Sequence, residues 1–131
     1  GAVIVGARPL LIAYNFFLQS DDVAIAQAIA RQIRASSGGL PGENAHGLLV
    51  DGQAQVSMNL VDFTQTPLHV VTETVRRLAR KQGTDLVRAE LIGLIPQQAV
   101  VEAAAYYLGL AELSSERVLE WAMVESDRER R

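Results

Sequence analysis

The chain has 131 residues, with fifteen acidic side chains against twelve basic ones, a formal net charge of −3 and no cysteine. That length suits one domain with a real core, and the absence of thiols excludes disulfides and thiolate metal sites. The slight acidic excess argues against a general affinity for nucleic acid or an anionic membrane, and the longest apolar runs, Pro9 to Leu18 and Val100 to Leu110, are too short or too interrupted to span a bilayer. No signal-peptide pattern follows Gly1, so a cytoplasmic location is expected. The opening GAVIVGARPLLIAYNFFL has no polar lead-in, which reads as a piece of something longer.

Leu10 to Leu18 is apolar on both faces and rich in β-branched and aromatic residues, the pattern of a central strand. Asn15 is its only strongly polar side chain; Leu11, Ala13 and Phe17 share its face and are expected to be exposed beside it. Ser20, Asp21 and Asp22 offer a cap for a helix in which Ile25, Ile29 and Ile33, with Ala26 and Ala30, recur at helical spacing. The Ser-Gly run from Ser36 to Gly39 ends it, and Leu40 to Asn44 reads as a loop.

His46–Val50 and Ala54–Leu60 read as two strands of a hairpin, turned at Asp51-Gly52. The second alternates most cleanly in the chain: Val56, Met58 and Leu60 take one face, Gln55, Ser57 and Asn59 the other. Thr66 as cap and Pro67 as first residue start a second helix, with a stripe of Leu68, Val71, Val75 and Leu78 and a stop at Gly83. Arg76, Arg77, Arg80 and Lys81 near its end read as a solvated terminus suited to the helix dipole.

Leu86 to Ile95, closed by Pro96, is the fourth expected strand, and Glu90 inside it must lie on an open face or be paired. Gly93 would admit a close neighbour. Ala99 to Leu110 reads as a helix. Residues 111–131 form a terminal helix and tail of the same single domain, capped at Ser114, with Val118, Trp121 and Ala122 packing back and the charged run Glu125 to Arg131 fraying.

This order predicts an α+β domain: a ferredoxin-like split βαββαβ sandwich with a four-stranded antiparallel sheet and additional C-terminal helices. The first and third strands would lie side by side in the middle. Asn15, Gln55, Ser57, Asn59 and Glu90 would then converge on the face that helices leave open. Such a set suits recognition of a small polar molecule or an abutting domain. It contains no reaction by itself.

No P-loop, GxGxxG, GxSxG or HExxH pattern occurs, and no metal set is expected. The two histidines, His46 and His69, lie in separate elements and read as structural or surface residues. Ser57 has no partner base nominated by the sequence.

At GAVIVGARPLLIAYN, AQVSMNL, TPLH and LIGLIP, in order and at compatible spacing, the chain resembles the C-terminal subdomain of glutamate formiminotransferase up to about Leu110. The resemblance implies a folate enzyme that moves a formimino group from N-formimino-glutamate to tetrahydrofolate in histidine breakdown. It implies two similar subdomains with folate held between them. The catalytic histidine would belong to the N-terminal subdomain, so that neither His46 nor His69 inherits the role and this chain is inactive alone. Gly1 matches the end of the folate-contacting loop that links the halves. Arg8 would pair with glutamate carboxylates, and Asn15, Gln55, Ser57, Asn59 and Glu90 would satisfy the pterin's donors and acceptors. The stretch GENAHG, Gly42 to Gly47, departs from the family, which more often has an apolar residue, a lysine and another apolar residue before the glycine. The alternative reading is a stand-alone module of the same fold that binds a small molecule, or pairs its open face with a second copy, without catalysis.

Overall fold

The computed structural model describes residues 10–34, 39–40 and 43–130. Gly1 and Arg8 lie outside them. In chain order the elements are β1 (Ile12–Leu18), α1 (Val23–Ile33), β2 (Glu43–Val50), β3 (Gln53–Leu60), α2 (Leu68–Lys81), β4 (Leu86–Ile92), α3 (Gln97–Leu108), a 3-10 turn at Ser115–Arg117 and α4 (Leu119–Glu129). The four strands make one antiparallel sheet in the order β2-β3-β1-β4, the split βαββαβ arrangement, with further helices after it.

Alternation along β1 and β3 decides which side of the sheet is dry. Ile12, Phe16, Ala54, Val56, Met58 and Leu60 are all buried in one cluster with Ala26, Ile29, Ala30 and Ile33 of α1 and Leu68, Val71, Val75 and Leu78 of α2. The apolar residues of each helix recur every three or four positions, so each brings a single stripe to that layer. α1 lies over β2 and β3, and its approach is closest at Gly47, where a Cβ would land on the backbone of Ala26 and Gln27. Tyr14 reaches across to α2, its hydroxyl 3.4 Å from that of Thr72.

Local chemistry sets the boundaries. The Asp22 carboxylate accepts the Ala24 N–H at 3.0 Å and caps α1. Asp51 and Gly52, at φ 50° and 76°, turn the β2–β3 hairpin as a pair with positive φ at both central positions. α2 begins at Leu68 with Pro67 in the cap position, one residue later than expected. Gly93, at φ 79°, follows the last residue of β4, so the strand ends at Ile92 and not at Ile95. β2 begins at Glu43, which converts the end of the expected loop into strand.

α3 packs on the outer side of α2. His69 stacks on Tyr106 at 4.3 Å between ring centroids, and the Tyr107 hydroxyl donates to Glu73 at 2.7 Å. The expected packing of the last helix does not occur. Ser114 starts the 3-10 turn, α4 buries no residue, and Leu119, Met123 and Val124 are exposed. The stripe of Leu119, Trp121, Met123 and Val124 is too irregular to make one continuous apolar face. Trp121, itself 38% exposed, lines a cleft of about 440 Å³ with Val101, Glu102 and Leu113, and Val118, just ahead of the helix, is half-buried. The run from Glu125 does not fray either: it stays helical to Glu129, with Arg128 pairing with Glu125 one turn away at 2.9 Å. Among the described residues, no helix is long and apolar enough to cross a membrane.

Two outcomes follow for stability. Gly47→Ala has no room against the α1 backbone, and should lower the unfolding free energy by roughly 1–3 kcal/mol in denaturant titrations, the usual cost of overpacking. The Tyr107 hydrogen bond holds the Glu73 carboxyl below its ordinary range, while burial and that same carboxylate push Tyr107 up to about 12. The Tyr107 contribution is therefore whole below pH ~10 and lost as pH rises toward 12. That of Glu73 is present above the ordinary carboxylate range and lost as pH falls through its lowered value. Tyr107→Phe should cost only about 0.5–1 kcal/mol at neutral pH and flatten both limbs of the stability–pH curve.

Candidate functional site

The sheet face opposite the helices is organised in rows that run across all four strands. Directly opposed residues of an antiparallel ladder point to the same side, so the registers fix each row. The middle row is His46, Ser57, Asn15 and Glu90 on β2, β3, β1 and β4. Beside it on one side run Asn44, Asn59, Ala13 and Ile92, and on the other Leu48, Gln55, Phe17 and Arg88. The register therefore brings Asn15, Gln55, Ser57, Asn59 and Glu90 onto one face.

Asn15 is the hinge of the middle row. Its Oδ1 accepts the Met58 backbone N–H at 3.3 Å. That contact fixes which way the amide is turned and leaves Nδ2 to donate to Glu90 Oε1, a long bond at 3.5 Å. Glu90 thus meets an amide donor on one oxygen, which accounts for a carboxylate inside a strand. Its remaining acceptor capacity faces the open side. Ser57 and Asn59 are partly or fully accessible there.

Phe17 and Gln55 differ from the rest: each is only 4% exposed although α1 and α2 pack on the other side of the sheet. Phe17 is shielded because the Arg88 guanidinium lies 3.9 Å above its ring centroid, a cation–π contact. The expectation of an exposed Phe17 fails for that reason. Leu11 is exposed, as expected. Gln55, between Leu48 and Phe17 in its row, is the least accessible of the polar set.

Asn44 and His46 also stand on this face, and neither was selected from the sequence. Placing Asn44 in a loop broke the alternation of 44, 46 and 48 that would have revealed them. His69 is elsewhere, between α2 and α3, with its Nδ1 buried and without a hydrogen-bond partner among the described residues. The basic end of α2 is largely engaged: Arg76 pairs with Glu73 at 3.4 Å and Arg80 with Asp85 at 3.5 Å. Among the described residues, no three histidine, aspartate or glutamate side chains gather as a metal set would.

A family model described as the formiminotransferase domain matches residues 13–124, which takes in every strand of this sheet apart from its first residue. The chain belongs to the formiminotransferase domain family. This formiminotransferase domain is 38% identical over 125 residues to the glutamate formimidoyltransferase of Thermoplasma acidophilum, covering 94% of the chain and 41% of that protein. It is 41% identical over 110 residues to the glutamate formimidoyltransferase of Streptococcus pyogenes, covering 82% and 37%. With the formimidoyltransferase-cyclodeaminase of Gallus gallus it shares 40% identity over 116 residues, 82% of the chain and 21% of that protein. The chain therefore spans about two fifths of the first two relatives and about a fifth of the third.

The turned amide of Asn15 gives a direct test within the formiminotransferase domain. Asn15→Asp removes the donor and sets a second carboxylate against Glu90. It should lower stability by about 1–2 kcal/mol at pH 7. Because repulsion raises the pKa of the pair in the folded state, the loss should shrink as the pH falls through the carboxylate range. Equal loss at pH 4 and pH 7 in denaturant titrations would rule out the contact between Asn15 and Glu90.

Proposed function

We propose that this domain is the C-terminal, folate-facing half of a glutamate formimidoyltransferase, and that its open sheet face is one wall of the site. The observation that carries the reading is the polar middle row across the four strands, in a chain of this family that spans about two fifths of its relatives. A sheet face is flat, and a ligand on it is only half enclosed. A second α/β half closing over it would supply the other wall and exclude water.

The overall reaction is the transfer of a formimino group from N-formimino-L-glutamate to tetrahydrofolate, in cytoplasmic histidine degradation. The bond between the formimino carbon and the glutamate nitrogen breaks, a bond from that carbon to a folate ring nitrogen forms, and the proton displaced from folate ends on glutamate. A group must carry that proton. We assign it to a histidine of the N-terminal half, so the chain is inactive alone and contributes binding and orientation.

Glu90, held by Asn15, accepts from the amino and ring N–H donors of the pterin, while Ser57 and Asn59 meet its acceptors. Asn15 holds Glu90 in the row, and Gln55 meets the ligand from the neighbouring row on the same face. Ile92, Leu11 and Leu48, all exposed, offer the apolar borders a pterin needs. Arg8 is the proposed partner of the glutamate carboxylates, and Gly1 the end of the folate-contacting linker. No metal enters the scheme.

Titration calorimetry with a reduced folate, run on the chain with and without an added N-terminal half, tests the proposal. Binding that tightens on adding the second half is expected. The double variant Asn15→Ala, Ser57→Ala should weaken it by about tenfold or more, from the loss of two hydrogen-bonding groups. No heat of binding under either condition would reject the reading.

A further inference from the structure

The β2 border of the sheet carries a cleft of about 330 Å³, lined by Gln27, Arg31 and Arg34 from α1 and its end and by His46, Gly47 and Leu48 from the strand. Two guanidinium groups and an imidazole converge there, and no described carboxylate lines it. Arg34 is held in place: it donates to the Ala45 carbonyl at 2.9 Å and keeps further N–H donors for another acceptor. Arg31 is exposed and, among the described residues, has neither an ion pair nor a hydrogen-bond partner. A second basic cleft, at the end of α2, differs in this respect, because Glu73 lines it and Arg76 and Arg80 are already paired.

The backbone adds a donor. Along an edge strand, successive residues turn their N–H and C=O groups toward the neighbouring strand and away from it in alternation. The Ala45 carbonyl, taken by Arg34, points away from β3, so Gly47, two residues on, turns its N–H outward at the same cleft. The helix dipole accounts for Arg31 in the last turn of α1. It does not account for the imidazole brought beside it from the strand. A donor-rich cleft without acid of its own suits carboxylates, which an arginine fork grips by two oxygens.

His46 also ends the middle row, at the border opposite Glu90. Three strand spacings separate the two positions, roughly 14 Å. A folate has the matching plan: a pterin head, a benzoyl spacer and a glutamyl end with two carboxylates. With the head on Glu90, the spacer runs on past Ser57 toward β2 and the glutamyl end arrives at the cleft. Charge counting calls for such a place. The transfer brings two glutamyl groups together, one on the formimino donor and one on the folate, and a single Arg8 cannot neutralise both.

We propose that the cleft between the end of α1 and β2 holds the glutamyl carboxylates of folate, with Arg31 and Arg34 as their cationic partners and His46 beside them. The proposal rests on the functional reading above and adds a direction to it: head at β4, tail at β2.

Titration calorimetry on the chain with an N-terminal half added tests it, with three ligands: a reduced folate, the reduced pteroate that lacks the glutamyl group, and N-formimino-L-glutamate. The folate should bind about tenfold or more tighter than the pteroate, the worth of one charge-assisted hydrogen bond. Arg31→Ala should weaken the folate by about tenfold and leave the pteroate within about twofold. Added salt should likewise weaken the folate and spare the pteroate. Circular dichroism reports folding, and Arg31→Gln keeps the test decisive if Arg31→Ala unfolds. Pteroate binding as tightly as folate, a folate-to-pteroate ratio unchanged by Arg31→Ala, or a loss confined to N-formimino-L-glutamate would overturn the proposal and leave the functional reading standing. No heat from either folate or pteroate would reject both.

Discussion

The register between β1 and β3 is the constraint on which the rest of this structure depends. Ile12 opposite Leu60, Tyr14 opposite Met58 and Phe16 opposite Val56 send the large apolar side chains to one side, while Ala13, Asn15 and Phe17 with Asn59, Ser57 and Gln55 go to the other. A slip of one residue would turn the core outward and bury the amides. The slip is disfavoured twice, by burial on the helix side and by the bond from the Met58 N–H to Asn15 on the open side. Fold and candidate site are specified by the same alternation.

The two sides of the sheet have different tolerances. On the helix side, Gly47 leaves no space for a methyl group and α1 sits directly on the strand. On the open side, interactions are polar and partly accessible, and Asn15 mediates between a backbone donor in β3 and a carboxylate in β4. His46 stands at the far end of the row from Glu90, on β2 and β4 respectively, so two strands separate the imidazole from the carboxylate.

Much of this was legible in the sequence where one physical rule acted alone. Alternation in β3, the positive-φ pair Asp51-Gly52 and the helical spacing of Ile25, Ile29 and Ile33 each named an element correctly. The reading lost accuracy where tertiary contacts extended or cut an element. Asn44 joined β2 because its neighbour strand offered a ladder, which no local propensity announced. Phe17 is hidden by Arg88, a residue 71 positions away that only the fold brings near. The last helix shows the opposite error: Val118, Trp121 and Ala122 were expected to pack back on the domain from hydrophobicity, yet α4 buries no residue and Trp121 reaches only the rim of a cleft beside α3. The motifs at GAVIVGARPLLIAYN and LIGLIP pointed to the family, and the matching relatives bear it out.

The small contact from Arg34 to the Ala45 carbonyl has a wider effect than its size suggests. It takes one acceptor of the β2 margin out of competition, so an unrelated strand laid along that margin would find its ladder interrupted at Ala45. A border broken in this way is a poorer template for stacking chain upon chain.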